Sequence, residues 1–189
     1  MTLKSLETSK RWTLFLDRDG VINRRLINDY VKTWEEFDFI RGVPGAVSLL
    51  SKVFGKVLVV TNQQGIGKGL MSMADLEAIH RNMLDEINAA GGRIDKIYVC
   101  PDLEALRPFC RKPRVGMGLQ AKIDFPEISF KHSVMCGDSE SDMRFGKRLK
   151  MKTVLIHPKN TIALGHPRLV DFWFTSLKDF AMAVDGEKD

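Results

Sequence analysis

Leu14-Phe15-Leu16-Asp17-Arg18-Asp19-Gly20-Val21-Ile22-Asn23 is the stretch whose reading settles the architecture. An apolar run from Trp12 reads as a buried strand, ends abruptly in two carboxylates two positions apart, and turns at Gly20. Burying an ionised carboxylate without a partner is expensive, so the pair demands a cation beside it. A hard divalent ion such as Mg²⁺, which takes oxygen ligands, suits it. An Asp-x-Asp triplet alone carries little weight, since a polar turn after a strand reads the same way. Its weight depends on where the later polar residues fall.

Outward from that strand, Pro44 to Phe54 reads as a helix, with Val43, Val47 and Leu50 at helical spacing and Pro44 in the first turn. Lys56 to Thr61 holds the run Val57-Leu58-Val59-Val60 of a strand buried on both faces, and a glycine-rich loop, Asn62 to Gly69, follows. Ser72, with Asp75 three residues on, marks the capped start of a long helix. Its Leu76, Ile79, Met83 and Ile87 share one face, and Gly91-Gly92 stops it. Ile94 to Cys100 is a third strand, 101–115 a proline-marked loop and 116–124 a helix. Ser133 to Cys136 is a strand ending at Gly137-Asp138, and Asp142 to Leu149 a helix. Thr153 to Ile156 and Val170 to Phe174 are further strands, and Leu177 to Val184 is the last helix. Residues 20–42 form a long loop whose Tyr30, Trp34, Phe37 and Phe39 pack it onto the body.

Strands alternating with helices predict an α/β fold: one Rossmann-like domain over 11–186, with a mostly parallel central sheet, helices on both faces and no separate cap, behind a disordered lead at 1–10. In such sheets the polar residues for chemistry gather at the carboxyl ends of strands. Three strand ends here carry them: Asp17/Asp19, Thr61/Asn62 and Asp138.

The 189 residues, 44% hydrophobic and 28% charged, suit a single soluble domain, and no apolar run reaches the roughly 18 residues a membrane span needs. Met1 to Lys10 lacks the apolar stretch of a signal peptide, so a cytoplasmic chain is expected. The net charge of +5 is scattered, with Arg24-Arg25, Arg111 to Arg114 and Lys147 to Lys152 as its densest points. Such scatter suits an anionic small molecule or a solvated surface better than a nucleic-acid groove. Three cysteines, Cys100, Cys110 and Cys136, argue against a disulfide framework.

Taken together, four motifs resemble those of haloacid dehalogenase-type phosphatases: Asp17 to Asn23; Thr61-Asn62-Gln63; Cys110-Arg111-Lys112-Pro113 with Gly116-Met117; and Gly137-Asp138-Ser139-Glu140-Ser141-Asp142-Met143. Tyr30-Val31, Phe37-Asp38-Phe39-Ile40 and Asn62-Gln63-Gln64-Gly65-Ile66 are similar to the capless branch that holds heptose bisphosphate and histidinol-phosphate phosphatases. The resemblance implies a phosphomonoesterase. Asp17 is the expected nucleophile, forming an aspartyl-phosphate, and Asp19 the expected general acid and base. Mg²⁺ is expected on a carboxylate oxygen of Asp17, the backbone carbonyl of Asp19, and Asp138. Thr61 and the Asn62 amide are expected on the phosphoryl oxygens, and Lys112 supplies positive charge to the transferring group. Asp142 orients Lys112 or a metal-bound water. Arg111 leads the candidates for a distal part of the substrate, with Gln63, Gln64 and Lys68 behind it. His80, on the long helix, reads as a surface or satisfied core residue.

The chain departs from that branch where many members carry a zinc loop. Asp102 and Pro108 stand where histidine and cysteine are expected, so no structural zinc is expected, and Cys100 and Cys110 read as reduced, partly buried thiols. A small phosphorylated metabolite is the leading substrate class, best guess a heptose 1,7-bisphosphate, then histidinol phosphate. A nucleic-acid 3′-phosphatase and a non-catalytic phosphate-binding module are the competing readings. A capless site needs no partner subunit, so a monomer is expected.

Overall fold

A computed structural model describes residues 9–186 of the chain. Six strands form one parallel sheet: β1 (Thr13–Leu16), β2 (Lys56–Asn62), β3 (Lys96–Cys100), β4 (Ser133–Gly137), β5 (Lys152–Ile156) and β6 (Phe172–Phe174). Their order is β3-β2-β1-β4-β5-β6. Six α-helices accompany them among the described residues: α1 (Val43–Val53), α2 (Met73–Ala89), α3 (Gly116–Asp124), α4 (Glu140–Arg148), α5 (Thr161–Gly165) and α6 (Leu177–Asp185). The sequence reading finds all of these except α5, a short helix beyond β5 with no buried residue and so no periodic apolar signal to read. It also starts α4 two residues late.

The strands are apolar on both faces because each face has its own helical layer. Leu14, Leu16, Val57, Val59, Val134 and Cys136 pack into one core with residues of α1, α2 and α6. The alternate residues Phe15, Leu58, Val60 and Met135 pack into a second with Met117 and Ala121 of α3 and Phe145 of α4. Ser72 caps α2 reciprocally with Asp75, as the sequence indicates, and Gly91 adopts a positive φ of 76° just beyond the helix end. The long loop after β1 is held as expected, by an aromatic cluster in which Trp34 stacks on Phe37 and Phe37 meets Phe39 edge-on at 4.9 Å.

Most of the expected disordered lead lies outside the described residues. Lys10, at its end, is anchored: its ammonium donates to the Ser51 carbonyl at 3.0 Å. The chain leaves β3 at one side of the sheet and re-enters at β4 on the other side of β1. A crevice therefore opens at the carboxyl ends of β1, β2 and β4, where parallel sheets of this order place their ligands.

Candidate active site

A cavity of about 600 Å³ lies at that crevice, and Asp17, Asp19, Arg25, Tyr30, Asn62, Arg111, Lys112 and Asp142 are among its lining residues. Asp17 follows β1 directly, and its N–H donates to the Cys136 carbonyl of β4 at 2.9 Å. Asp138 follows β4, so the neighbouring strands bring two carboxylates together. Gly20 turns away with φ 96°, and a Cβ there would lie 2.0 Å from Asp138 Oδ2, so only glycine allows this approach.

Lys112 is buried between two acids, 2.8 Å from Asp17 Oδ1 and 2.6 Å from Asp142 Oδ1. Burial works against its charge, but Asp142 and Asp17 more than offset this and hold the ammonium above its ordinary range. The second oxygen of Asp142 caps α4, accepting from the Ser139 N–H at 3.1 Å and its hydroxyl at 2.5 Å. Asp142 thus faces Lys112 with one oxygen and its own helix start with the other. The Ser-x-x-Asp spacing at 139–142 is the capping signal already evident at Ser72, and it would have placed this side chain.

Asp19 is gripped from all sides. Arg18 Nη2 donates to Oδ1 at 2.9 Å and Oδ2 at 3.1 Å, Asn23 to Oδ1 at 3.0 Å, and Gln63 Nε2 to Oδ2 at 2.7 Å. Burial pushes its carboxyl up, but the Arg18 charge and these hydrogen bonds bring it below the usual range, so Asp19 rests ionised. Gln63 also donates to the Thr61 hydroxyl at 2.8 Å. Its side chain is buried against these two residues rather than reaching outward, unlike the distal role expected from sequence. Asn62 holds the Lys112 peptide: its Oδ1 accepts from the Lys112 N–H at 3.0 Å and its Nδ2 donates to the Lys112 carbonyl at 3.2 Å. Gln64 bridges two loops, donating to the Tyr30 hydroxyl at 2.9 Å and accepting from the Glu104 N–H at 3.3 Å. Arg111 pairs with Glu104 at 3.0 Å through Nη2, while its buried Nη1 has no hydrogen-bond partner.

One oxygen from each of Asp17, Asp138 and Asp142 lies within 4.8 Å of the others. Burial, with repulsion from the neighbouring acids, pushes Asp17 up to about 6 and Asp138 up to about 8, although Lys112 and Arg25 partly offset it. Such a group wants a cation. The Arg25 guanidinium supplies one: its Nη2 is 3.0 Å from Asp138 Oδ1, 3.2 Å from the Asp19 carbonyl and 3.9 Å from Asp17 Oδ2. These are the three oxygen sources expected to ligate Mg²⁺, and the stand-in cation shows that they converge on one point. The donor set is all oxygen, as a hard divalent ion requires. The sequence reading passes over Arg25 because a basic pair in a long loop looks like surface charge.

One expectation is corrected. Cys100 and Cys110 are joined in a disulfide with a Cα separation of 5.3 Å, not reduced thiols. The loop after β3 doubles back so that residues ten apart meet, a closure that cysteine spacing alone does not reveal. Asp102 Oδ2 lies 3.5 Å from Cys110 Sγ. Cys136 is the free, buried thiol.

Residues 109–161 match the HAD-hydrolase-like family model. The chain is 37% identical over 174 residues, 92% of each protein, to D-glycero-alpha-D-manno-heptose-1,7-bisphosphate 7-phosphatase of Mycobacterium bovis. It is 40% identical over 146 residues, 73% of this chain and 79% of the relative, to the D-glycero-beta-D-manno-heptose-1,7-bisphosphate 7-phosphatase of Rhodopseudomonas palustris. Among solved structures, D,D-heptose 1,7-bisphosphate phosphatase from B. bronchiseptica, complexed with magnesium and phosphate, superposes with a TM-score of 0.85 at 28% identity, covering 93% of this chain and 99% of that one.

Proposed function

The chain belongs to the haloacid dehalogenase-type family of D-glycero-D-manno-heptose-1,7-bisphosphate 7-phosphatases, and on that premise we propose that it removes the 7-phosphate from a heptose 1,7-bisphosphate through an aspartyl-phosphate on Asp17. The observation that carries this is the convergence of Asp138, the Asp19 carbonyl and Lys112 around Asp17.

In the first half-reaction a carboxylate oxygen of Asp17 attacks phosphorus. The bond from phosphorus to the sugar oxygen breaks, and Asp19, which takes up a proton from solvent before this step, delivers it to that oxygen. In the second, water attacks the phosphoryl group and gives a proton to Asp19, and the bond to Asp17 breaks to release phosphate. Asp19 stands ready for this second role because it rests ionised. Lys112 offsets charge on the phosphoryl oxygens and on Asp17, and Asp142 aims it. In this reading Thr61 contacts the phosphoryl group, and Asn62 acts through the Lys112 peptide. Asp17, Asp138 and the Asp19 carbonyl would hold Mg²⁺, which supplies charge neutralisation between nucleophile and phosphate dianion. Arg111, with a free buried N–H, is the leading contact for the second phosphate, beside Gln64 and Lys68 on the outer wall.

The test is phosphate release with Mg²⁺, comparing kcat/KM for heptose 1,7-bisphosphate and an aryl phosphate. A preference of about 10³-fold, roughly 4 kcal/mol of differential transition-state binding, supports the sugar bisphosphate. Near-equal low rates reject it and turn attention to histidinol phosphate and 3′-phosphorylated oligonucleotides. Asp17→Asn, folded but inactive, is expected; full activity in that variant overturns the nucleophile assignment.

A further inference from the structure

Arg18 is a fully buried arginine, and its guanidinium has two side-chain partners among the described residues. One is Asp19, its neighbour in sequence. A pair formed by adjacent residues fixes the two relative to each other, while Asn23 and Gln63 hold the Asp19 end and leave the Arg18 end to its second partner. The other partner comes from a different element: His80 of α2, whose Nε2 lies 3.2 Å from Arg18 Nη1. Arginine can only donate, so His80 Nε2 accepts and its proton sits on Nδ1. Burial, with the Arg18 charge adding to it, pushes His80 down to about 3, so the ring stays neutral and keeps its lone pair for Arg18 at any working pH. Helix α2 packs Leu76, Ile79, Met83 and Ile87 into the core, so the acceptor is rigidly mounted.

We propose that His80 is a positioning residue for the acid/base step, anchoring Arg18 from α2 so that Arg18 holds the Asp19 carboxylate in its working orientation. This rests on the phosphatase reading above. It adds a residue that lies outside the four motifs and touches neither substrate nor reacting atoms.

The leaving group separates this role from a merely structural one. The constant kcat/KM covers steps up to phosphoryl transfer onto Asp17. A sugar alkoxide leaves only with a proton from Asp19, whereas a nitrophenolate leaves without one. The experiment measures kcat/KM for a sugar phosphate and for p-nitrophenyl phosphate in wild type, His80→Ala, His80→Leu and His80→Gln. Expected is a loss of about tenfold or more on the sugar phosphate in His80→Ala and His80→Leu, carried by kcat, with less than about threefold on the aryl phosphate. In His80→Gln the amide oxygen restores the acceptor and most of the rate. Arg18→Lys, which shortens the fork, gives the same leaving-group-selective loss and serves if the His80 variants fold poorly. Equal losses on both substrates, or none on either, overturn the proposal. A wild type that hydrolyses neither substrate overturns the phosphatase reading itself.

Discussion

Asn62 at the end of β2 and Lys112 in the loop after β3 are joined by a two-way amide clamp, with Lys112 N–H to Asn62 Oδ1 at 3.0 Å and Asn62 Nδ2 to the Lys112 carbonyl at 3.2 Å. The clamp sets the backbone from which the Lys112 side chain reaches Asp17. Replacing Asn62 with Ala leaves a peptide N–H and carbonyl unpartnered. It should cost about 1–3 kcal/mol in urea unfolding and lower kcat by about 10²-fold through displacement of the ammonium.

Lys112 neutralises two acids at once. Lys112→Met should lose about 3–5 kcal/mol, because Asp17 and Asp142 are left buried without it. Activity should fall by about 10²–10³-fold. Adding Asp142→Asn should return part of the stability and none of the activity, which separates the structural from the chemical role. Unfolding curves and single-turnover rates on the two proteins decide this.

Arg25 rests on the same oxygens that a divalent cation would take in the proposed reaction. Chelation should abolish turnover while leaving the protein folded. In Arg25→Ala the metal-free protein should melt lower than wild type, since Asp138 loses its cation, and the rise in Tm on adding Mg²⁺ should be larger. A smaller rise would show that Arg25 and the metal do not compete.

The disulfide Cys100–Cys110 ties the end of β3 to the segment carrying Arg111 and Lys112. Closing a loop of this length is worth about 2–3 kcal/mol on chain-entropy grounds. Reduction, or Cys100→Ser with Cys110→Ser, should lower Tm and raise KM for the bisphosphate. Cys136→Ala, at the free thiol, should be indifferent to reductant and serves as the control.

His80 makes stability depend on pH in a definite direction. Unfolded, it titrates near its ordinary 6.5; folded, at about 3. Below about 6.5 the unfolded chain takes a proton that the folded chain refuses. This contribution is therefore fully present above about 6.5 and is lost as pH falls toward 3. Between pH 7 and 4.5 wild type should lose about 2–3 kcal/mol more than His80→Gln in denaturant titrations.

The sheet, every helix but α5 and the residues at three strand ends are legible in the sequence. Continuous apolar runs, capping pairs and glycine stops are local signals, and α/β topology converts strand ends into a shared site. What the sequence conceals depends on distance in space. Arg25 and His80 carry no local mark, because what defines them is a partner 113 residues away for one and 62 for the other. Gln63 and Gln64 look alike in the chain, yet consecutive residues point to opposite sides, one inward to Asp19 and one out to Tyr30. Cys100 and Cys110 give the converse lesson: the loop path, not the count of thiols, decides whether they meet.

Asp17 and Asp138 each follow a strand of the same parallel pair, registered Leu16 against Cys136. Asp138 stands one residue beyond the position opposite Asp17, so the separation of their backbones is set by the peptide lattice, about 4.8 Å from strand to strand and one residue along it, rather than by how side chains fill the interior. Evolution can exchange every apolar residue beneath them, and an engineer can soften or stiffen that interior, without retuning the spacing on which the chemistry depends. Tolerance to mutation and accuracy of catalysis are thus written into separate parts of the same chain.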